Sequence, residues 1–238
     1  MTNTNNNFSA PVFFRAVDRY VETHIVSAKE SKVRGDRIAW GDGDAYPDYL
    51  LDLYRNCGTL KSCVDGCVDY ICGNGAISQM PAMNNKGETA DQLVKKLALS
   101  LVRFGGFAIQ VVRDLAGKPS RIYHLDMRYV RSNKDNTVFY YCENWGKPGK
   151  KDVVRYPAFR ADLDWENLDE DARNRNASSV LFVKSVDTQV YPAPVFAAAV
   201  KACEIERGID EYHLNALDNS FVSSMIVNFN NGIPTDQE

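Results

Sequence analysis

At Gly105-Gly106 the hydrophobic period of this chain changes, and that change limits the folds open to it. Upstream, over about 88–103, Leu93, Val94, Leu97, Leu101 and Phe104 mark one side of a predicted helix. Downstream, FAIQVVRD (107–114) is rich in β-formers, LAGK turns, and PSRIYHLDMRYVRS continues in extended form. NKDN (133–136) turns again before TVFYYCENW (137–145); GKPGKKD is a basic loop tip, and VVRYPAF follows. This pattern predicts an antiparallel meander of three or four strands. SSVLFVKS (178–185) and SMIVNF (224–229) read as two more strands, and 160–177 as a polar loop with room for a short helix.

Two further helices frame the strands. One is predicted over 47–71, where Leu50, Leu53, Tyr54, Cys57, Leu60, Val64, Cys67, Val68 and Ile71 recur at helical spacing and Gly73-Asn74-Gly75 supplies the stop. The other is predicted over 194–219, entered through Pro192-Ala193-Pro194 and about 40 Å long at 1.5 Å per residue. In it Val195, Ala198, Ala202, Ile205, Ile209, Tyr212 and Ala216 keep a 3-4-3-4-3-4 spacing. Packing on the domain's own sheet is the default for that seam, which makes Ile205 a predicted core residue; a neighbouring subunit could share it. The fold class expected is α+β, an antiparallel meander sheet of four or more strands packed against three main helices. Residues 1–45 read as a polar arm and exposed linker, with a short helix at 11–29 and a short strand at 37–40, and residues 46–238 as the α+β domain.

Composition narrows the function. Of 238 residues, 45% are hydrophobic and 25% charged, enough for a sizeable core, and the net charge of −3 does not suit a chain built to coat nucleic acid. The polar, Asn-rich start has no basic and apolar signal regions, and no run approaches the roughly 18 apolar residues of a spanning helix, so a soluble cytosolic product is expected. The six cysteines, at 57, 63, 67, 72, 142 and 203, form no C-x-x-C and read as small buried hydrophobes.

No catalytic set emerges. Asp42, Asp44 and Asp48 share a loop but lack the offsets of a calcium site, and CGNGAIS lacks the Lys-Ser/Thr of a phosphate loop. His124 and Asp126 share a strand face by alternation, and Cys142 could complete a Cys-His-Asp set, but nothing orients such a nucleophile. His24 and His213 lie on predicted helices without metal-type partners. The expectation is a non-enzyme with no catalytic, cofactor-binding or metal-binding residues and no cofactor. The basic tip (Lys147, Lys150, Lys151) and the acidic loop (Asp162, Asp164, Glu166, Asp169, Glu170, Asp171) serve solubility, or form complementary edges between neighbouring copies.

Three stretches together resemble the portal proteins of tailed bacteriophages. DAYPDYLLDLYRNCGTLKSCVDGCVDYICGNG (44–75) is similar to a YP-x-x-L helix ending in GxG. RFGGFAIQVVRDLAGKPSRIYHLDMRYVRS (103–132) resembles a portal strand pair with an Asp…Gly-Lys turn. The stretch 191–238 resembles a Y-P-x-P helix with an N-x-F-x-x-S exit and an NG-x-P turn. The resemblance implies a structural subunit of the portal, the head–tail connector ring at one capsid vertex. It implies a typically dodecameric homo-oligomer, met by terminase, the major capsid protein and a head–tail adaptor. DNA would pass through it during packaging and ejection without sequence-specific binding, and no membrane is involved. Localisation would be the portal vertex of the virion, and host cytoplasm during assembly. Residues 46–238 would be the wing-like region. Portals usually add stem helices, a clip and a crown, unrecognisable here, and Thr235-Asp236-Gln237-Glu238 is a helix capping box with no helix after it. The chain is therefore expected to be the N-terminal part of a longer protein. The alternative is a non-enzymatic α+β interaction module or adaptor of phage or prophage origin, and an enzyme is a third reading.

Overall fold

The computed structural model describes residues 29–32, 36–73, 84–146, 152–185 and 190–219. The predicted helix at 11–29 (Lys29 apart), the basic tip, the predicted strand at 224–229 and the final capping box lie outside these residues.

Two short strands open the described chain, β1 (Ser31–Lys32) and β2 (Arg37–Ala39), and two helices follow, α1 (Tyr46–Asn56) and α2 (Gly58–Cys72). The single helix predicted over 47–71 is thus broken, at Cys57, whose φ/ψ of −111°/111° is extended. Both new ends are satisfied locally. The Cys57 N–H donates to the Leu53 carbonyl at 3.0 Å, and the Cys57 Sγ accepts from the Leu60 N–H at 3.4 Å. The kink lets Leu50, Leu53 and Tyr54 of α1 and Leu60, Val64 and Val68 of α2 share one core. Ile71 and Cys67, expected in that stripe, are exposed, and so is Cys63; of the six cysteines, Cys57, Cys142 and Cys203 are buried.

The third helix, α3 (Ala90–Phe104), begins with a capping box. Thr89 Oγ1 accepts from the Gln92 N–H at 3.3 Å, and Gln92 Oε1 accepts from the Thr89 N–H at 3.1 Å. It ends at Gly105, left-handed at φ 79°, where an added Cβ would lie 1.8 Å from the Ala193 carbonyl oxygen. The strand period then begins at once, with β3 (Gly106–Arg113) and β4 (Pro119–Leu125).

A single 3₁₀ turn, Met127–Tyr129, separates these from β5 (Val130–Asn133), β6 (Val138–Tyr141) and β7 (Val154–Pro157). A short helix α4 (Glu170–Asn176), capped by Asp169, leads into β8 (Ser178–Lys184). The last helix, α5 (Val200–Asp218), follows a 3₁₀ turn at Ala197–Ala199.

The α+β class and an antiparallel sheet of more than four strands are as the sequence predicts, but the strands divide between two sheets. One has the order β1-β2-β5-β6-β7 and the other β4-β3-β8, every strand pair antiparallel. The turn at Met127–Tyr129 makes the division: Asp126 is still extended, and its carboxylate caps the turn by accepting from the Arg128 N–H at 3.0 Å. The smaller sheet is the middle layer. Ala108, Leu125 and Phe182 are register partners and so share a face, and Phe182 meets Phe139 of the larger sheet at 5.2 Å between centroids. His124 lies on the other face, where Ser100 of α3 meets it. A parallel bridge, Ala158 to Val180, ties the two sheets together.

The stretch read as an exposed linker is buried at 38–41 and at Asp44, while 42, 43 and 45 are exposed. Ala39, Trp40 and Asp44 are buried, and Trp40 stacks on Tyr191 at 4.7 Å with 4° between the ring planes. Its charged composition concealed this, because two of its charges, Arg37 and Asp44, are paired inside the protein.

Candidate assembly surface

Asp44 shows how those charges are used. It sits at φ 64° after Gly43, a left-handed turn that aims its carboxylate inward. Oδ1 accepts from the Arg131 Nε at 2.7 Å and from the Trp40 N–H at 2.9 Å, while Oδ2 pairs with Arg37. Arg131, 1% exposed, spends its other donors on the carbonyls of Asp44, Arg128 and Val130. Burial alone would raise the Asp44 carboxyl, but Arg131, Arg37 and the Trp40 amide outweigh it and hold it below the ordinary aspartate value. The Tyr191 hydroxyl completes the clamp, donating to the Ile38 carbonyl and accepting from the Ser132 N–H at 2.9 Å. Asp42 is exposed, and Asp48 reaches Arg128 at 4.0 Å, so the three aspartates do not converge. Among the described residues no cluster of three His, Cys, Asp or Glu could hold a metal ion.

The Cys-His-Asp set does not assemble. Cys142 Sγ donates to the Asn144 carbonyl at 3.3 Å. Asp126, still extended just beyond β4, lines the same cavity as His124, but its carboxylate is engaged by Arg128, Nε at 3.0 Å and Nη2 at 2.9 Å. His124 Nε2 lies 2.8 Å from Ser100 Oγ, and burial pulls its imidazole below the ordinary value, so it is neutral at pH 7. A cavity of about 350 Å³ opens beside this strand, walled by Gln110, Tyr123, Leu125, Tyr141 and Tyr156, with Lys86 5.8 Å from the Tyr123 ring. His213 is exposed on α5 with Tyr212 beside it, and His24 lies outside the described residues.

The acidic loop is folded onto its neighbours. Trp165 Nε1 donates to the Leu115 carbonyl at 3.0 Å, and its ring fills the space where a Gly117 side chain would stand, 2.2 Å from an added Cβ. Arg173 ties down the loop by donating to the Trp165 and Glu166 carbonyls at 3.1 and 2.8 Å. Asp169 is spent on capping α4, accepting from the Ala172 N–H at 3.0 Å. The other acids of the loop stand on a surface that these bonds hold in place, and the basic tip that could complement them is not among the described residues.

Helix α5 departs most from expectation. It has 19 residues, about 28 Å, because 197–199 form a 3₁₀ turn and Val195 stands before it, 72% exposed. Its buried residues are Val200, Cys203 and Glu204; the predicted seam is not core. Ile205 is half-buried, and Ile209 and Tyr212 are 51% and 70% exposed. The helix is anchored to the α1–α2 corner by its first half. Glu206 accepts from the Thr59 N–H at 3.2 Å, Arg207 Nη1 donates to Asp52 at 2.9 Å, and Cys203 lies against Cys57, where burial pushes its thiol up to about 12. Beyond Arg207 the helix stands clear, with Leu214 and Leu217 also exposed.

No protein-family model matches this sequence, and neither does any curated protein. Solved structures do match. A chain in the neck of an empty gene transfer agent (GTA) particle, computed with C6 symmetry, aligns at a TM-score of 0.51 and 12% identity, over 79% of this chain and 52% of its own length. A chain in the virion of a native GTA particle aligns at 0.50 and 13%, over 93% of this chain and 56% of its own. At these identities the likeness is one of fold. The chain spans about half the length of the chains it matches.

Proposed function

We propose that this chain is the wing-like part of a portal subunit, the ring-forming head–tail connector of a tailed phage or phage-like particle, and that it works through its surfaces without a catalytic centre. The observation that carries the reading is the fold shared with a chain of a GTA particle neck. The portal-like motifs support it, since they fall at working points of the fold. Tyr46-Pro47 opens α1, Gly105-Gly106 joins α3 to β3, and Tyr191-Pro192 leads into α5 while Tyr191 closes the Asp44 clamp. The net charge of −3 suits a conduit through which DNA must slide, because a strongly basic lining would retain phosphates. Terminase, the major capsid protein and a head–tail adaptor are the partners this reading names, and the portal vertex its location.

Electron microscopy of the full-length gene product tests it. Closed rings with a central channel are expected. A product that stays monomeric and instead binds preformed rings or capsids would identify an adaptor and end the portal reading.

A further inference from the structure

We infer that α5 is a releasable strap: it sits in a poorly satisfied seat on the α1–α2 corner and swings off it about the turn at Ala197–Ala199 while the rest of the domain stays folded. The inference stands apart from the portal reading. It starts from Glu204. Among the described residues three charged side chains are buried, Asp44, Arg131 and Glu204, and they are treated in opposite ways. Asp44 and Arg131 bond each other, and Asp44 also accepts from the Trp40 N–H. Glu204 is 0% exposed, and neither of its carboxylate oxygens has a hydrogen-bond partner. The chain thus satisfies its buried charges where they fix the fold and leaves one bare where α5 meets α1.

The groups near Glu204 do not make up the deficit. Tyr49 of α1 faces it closely enough to feel its charge, yet the Tyr49 hydroxyl is also buried without a hydrogen bond. Burial first, and then the carboxylate, push that hydroxyl well above the ordinary tyrosine range. Arg207, one turn further along α5, is directed instead to Asp52 at 2.9 Å and Glu211 at 3.4 Å. A bare carboxylate in this seat opposes docking, because the hydration it loses is not replaced.

What holds α5 down is light. Val200 and Cys203 are its buried apolar side chains. Its two polar anchors, the Thr59 N–H to Glu206 and Arg207 to Asp52, are exposed, and exposed contacts of this kind contribute little. A hinge lies just ahead of them. Tyr191, Pro192 and Pro194 are buried, and the Tyr191 hydroxyl is clamped between Ile38 and Ser132. Ala197, Ala198 and Ala199, by contrast, are small and exposed, so the backbone can turn there without disturbing the core. Release is a local unfolding step that lies below the unfolding of the shared core, and the released state is a minor one. It bares the inner face of α5 and the α1–α2 corner together, the state that a partner would select.

Amide hydrogen exchange on the full chain, read by mass spectrometry, tests this, because a 19-residue helix freed from its seat is marginal in water and loses protection. The amides at 203–207 are expected to exchange at least about tenfold faster than those of β3. Glu204→Met, which fills the seat without a charge, should slow exchange at 203–207 by about tenfold and leave β3 unchanged. Should that variant fail to fold, Glu204→Gln, uncharged and of the same shape, carries the same prediction of slower exchange. Tyr49→Phe, which removes the other bare group, should make exchange at 203–207 no faster. Equal protection of α5 and β3 in the native chain would overturn the inference. So would unchanged or faster exchange in the folded Glu204 variant, or faster exchange in Tyr49→Phe, since either would show that the carboxylate does not weaken the seat.

Discussion

At the scale of single residues the molecule is organised by polar groups that composition assigns to the surface. Removing Asp44 leaves Arg131 buried without its counter-charge, and removing Arg131 leaves the buried Asp44 carboxylate with Arg37 alone. Arg131→Met or Asp44→Asn should therefore cost about 3–5 kcal/mol in chemical denaturation. The pair also sets an acid limit. Because the folded carboxyl is held below its unfolded value of about 3.9, its contribution is complete above that pH and is lost as the pH falls through the folded value. Stability of the native chain should fall in that window, and Asp44→Asn should flatten the fall. Tyr191→Phe strands the Ile38 carbonyl and the Ser132 amide, a loss of about 1–3 kcal/mol. A thiol reagent should label Cys63 and Cys67 quickly and reach Cys57, Cys142 and Cys203 only on unfolding. The sequence reading of buried cysteines holds for Cys57, Cys142 and Cys203, but the clamp was not legible. Asp44 and Arg131 are 87 residues apart, and nothing in either neighbourhood announces the other.

At the scale of elements the sequence was readable wherever the period and the punctuation agreed. Gly105 is the best case, since the residue that ends α3 is the one the period change required. Gly105→Ala should lower stability by more than the ~1 kcal/mol of an ordinary glycine replacement, because the left-handed turn and the Ala193 carbonyl both exclude a side chain. The Thr89/Gln92 capping box was present in the sequence in the same form as the one noted at Thr235, and it marks the start of α3. The break at Cys57 was not readable, because apolar spacing runs straight through it and only the pairing of Cys57 with Leu53 and Leu60 makes it. The α5 seam misled for another reason. Periodicity reports which residues belong together but not what covers them. Ile205→Asp, at a half-buried position, should cost less than the several kcal/mol of a core charge, and Tyr212→Ser should leave the stability of the isolated subunit within about 0.5 kcal/mol. Thermal melts at low concentration separate these cases.

At the scale of the whole molecule the two sheets and the helices share one hydrophobic cluster, joined through Phe139, Phe182 and the Ala158–Val180 bridge. Unfolding in urea should accordingly be a single transition, the same by far-UV circular dichroism and by tryptophan fluorescence, since Trp40, Trp145 and Trp165 report from different regions. Two separated transitions would mean that the sheets fold independently. Most of the described strands were available from the sequence, but the break of 119–132 into β4 and β5, and with it the division into two sheets, was not, because it turns on a three-residue turn capped by Asp126. The Trp165 ring over Gly117 carries a consequence of its own. With the indole wedged against the hairpin, the loop and the β3–β4 turn share one rigid frame, and the negative charges above them keep constant spacing. A basic counterpart would meet a ready-made electrostatic template and lose no affinity to taming a floppy segment, so loosening the wedge with Trp165→Ala should slow or weaken such docking even though every carboxylate remains.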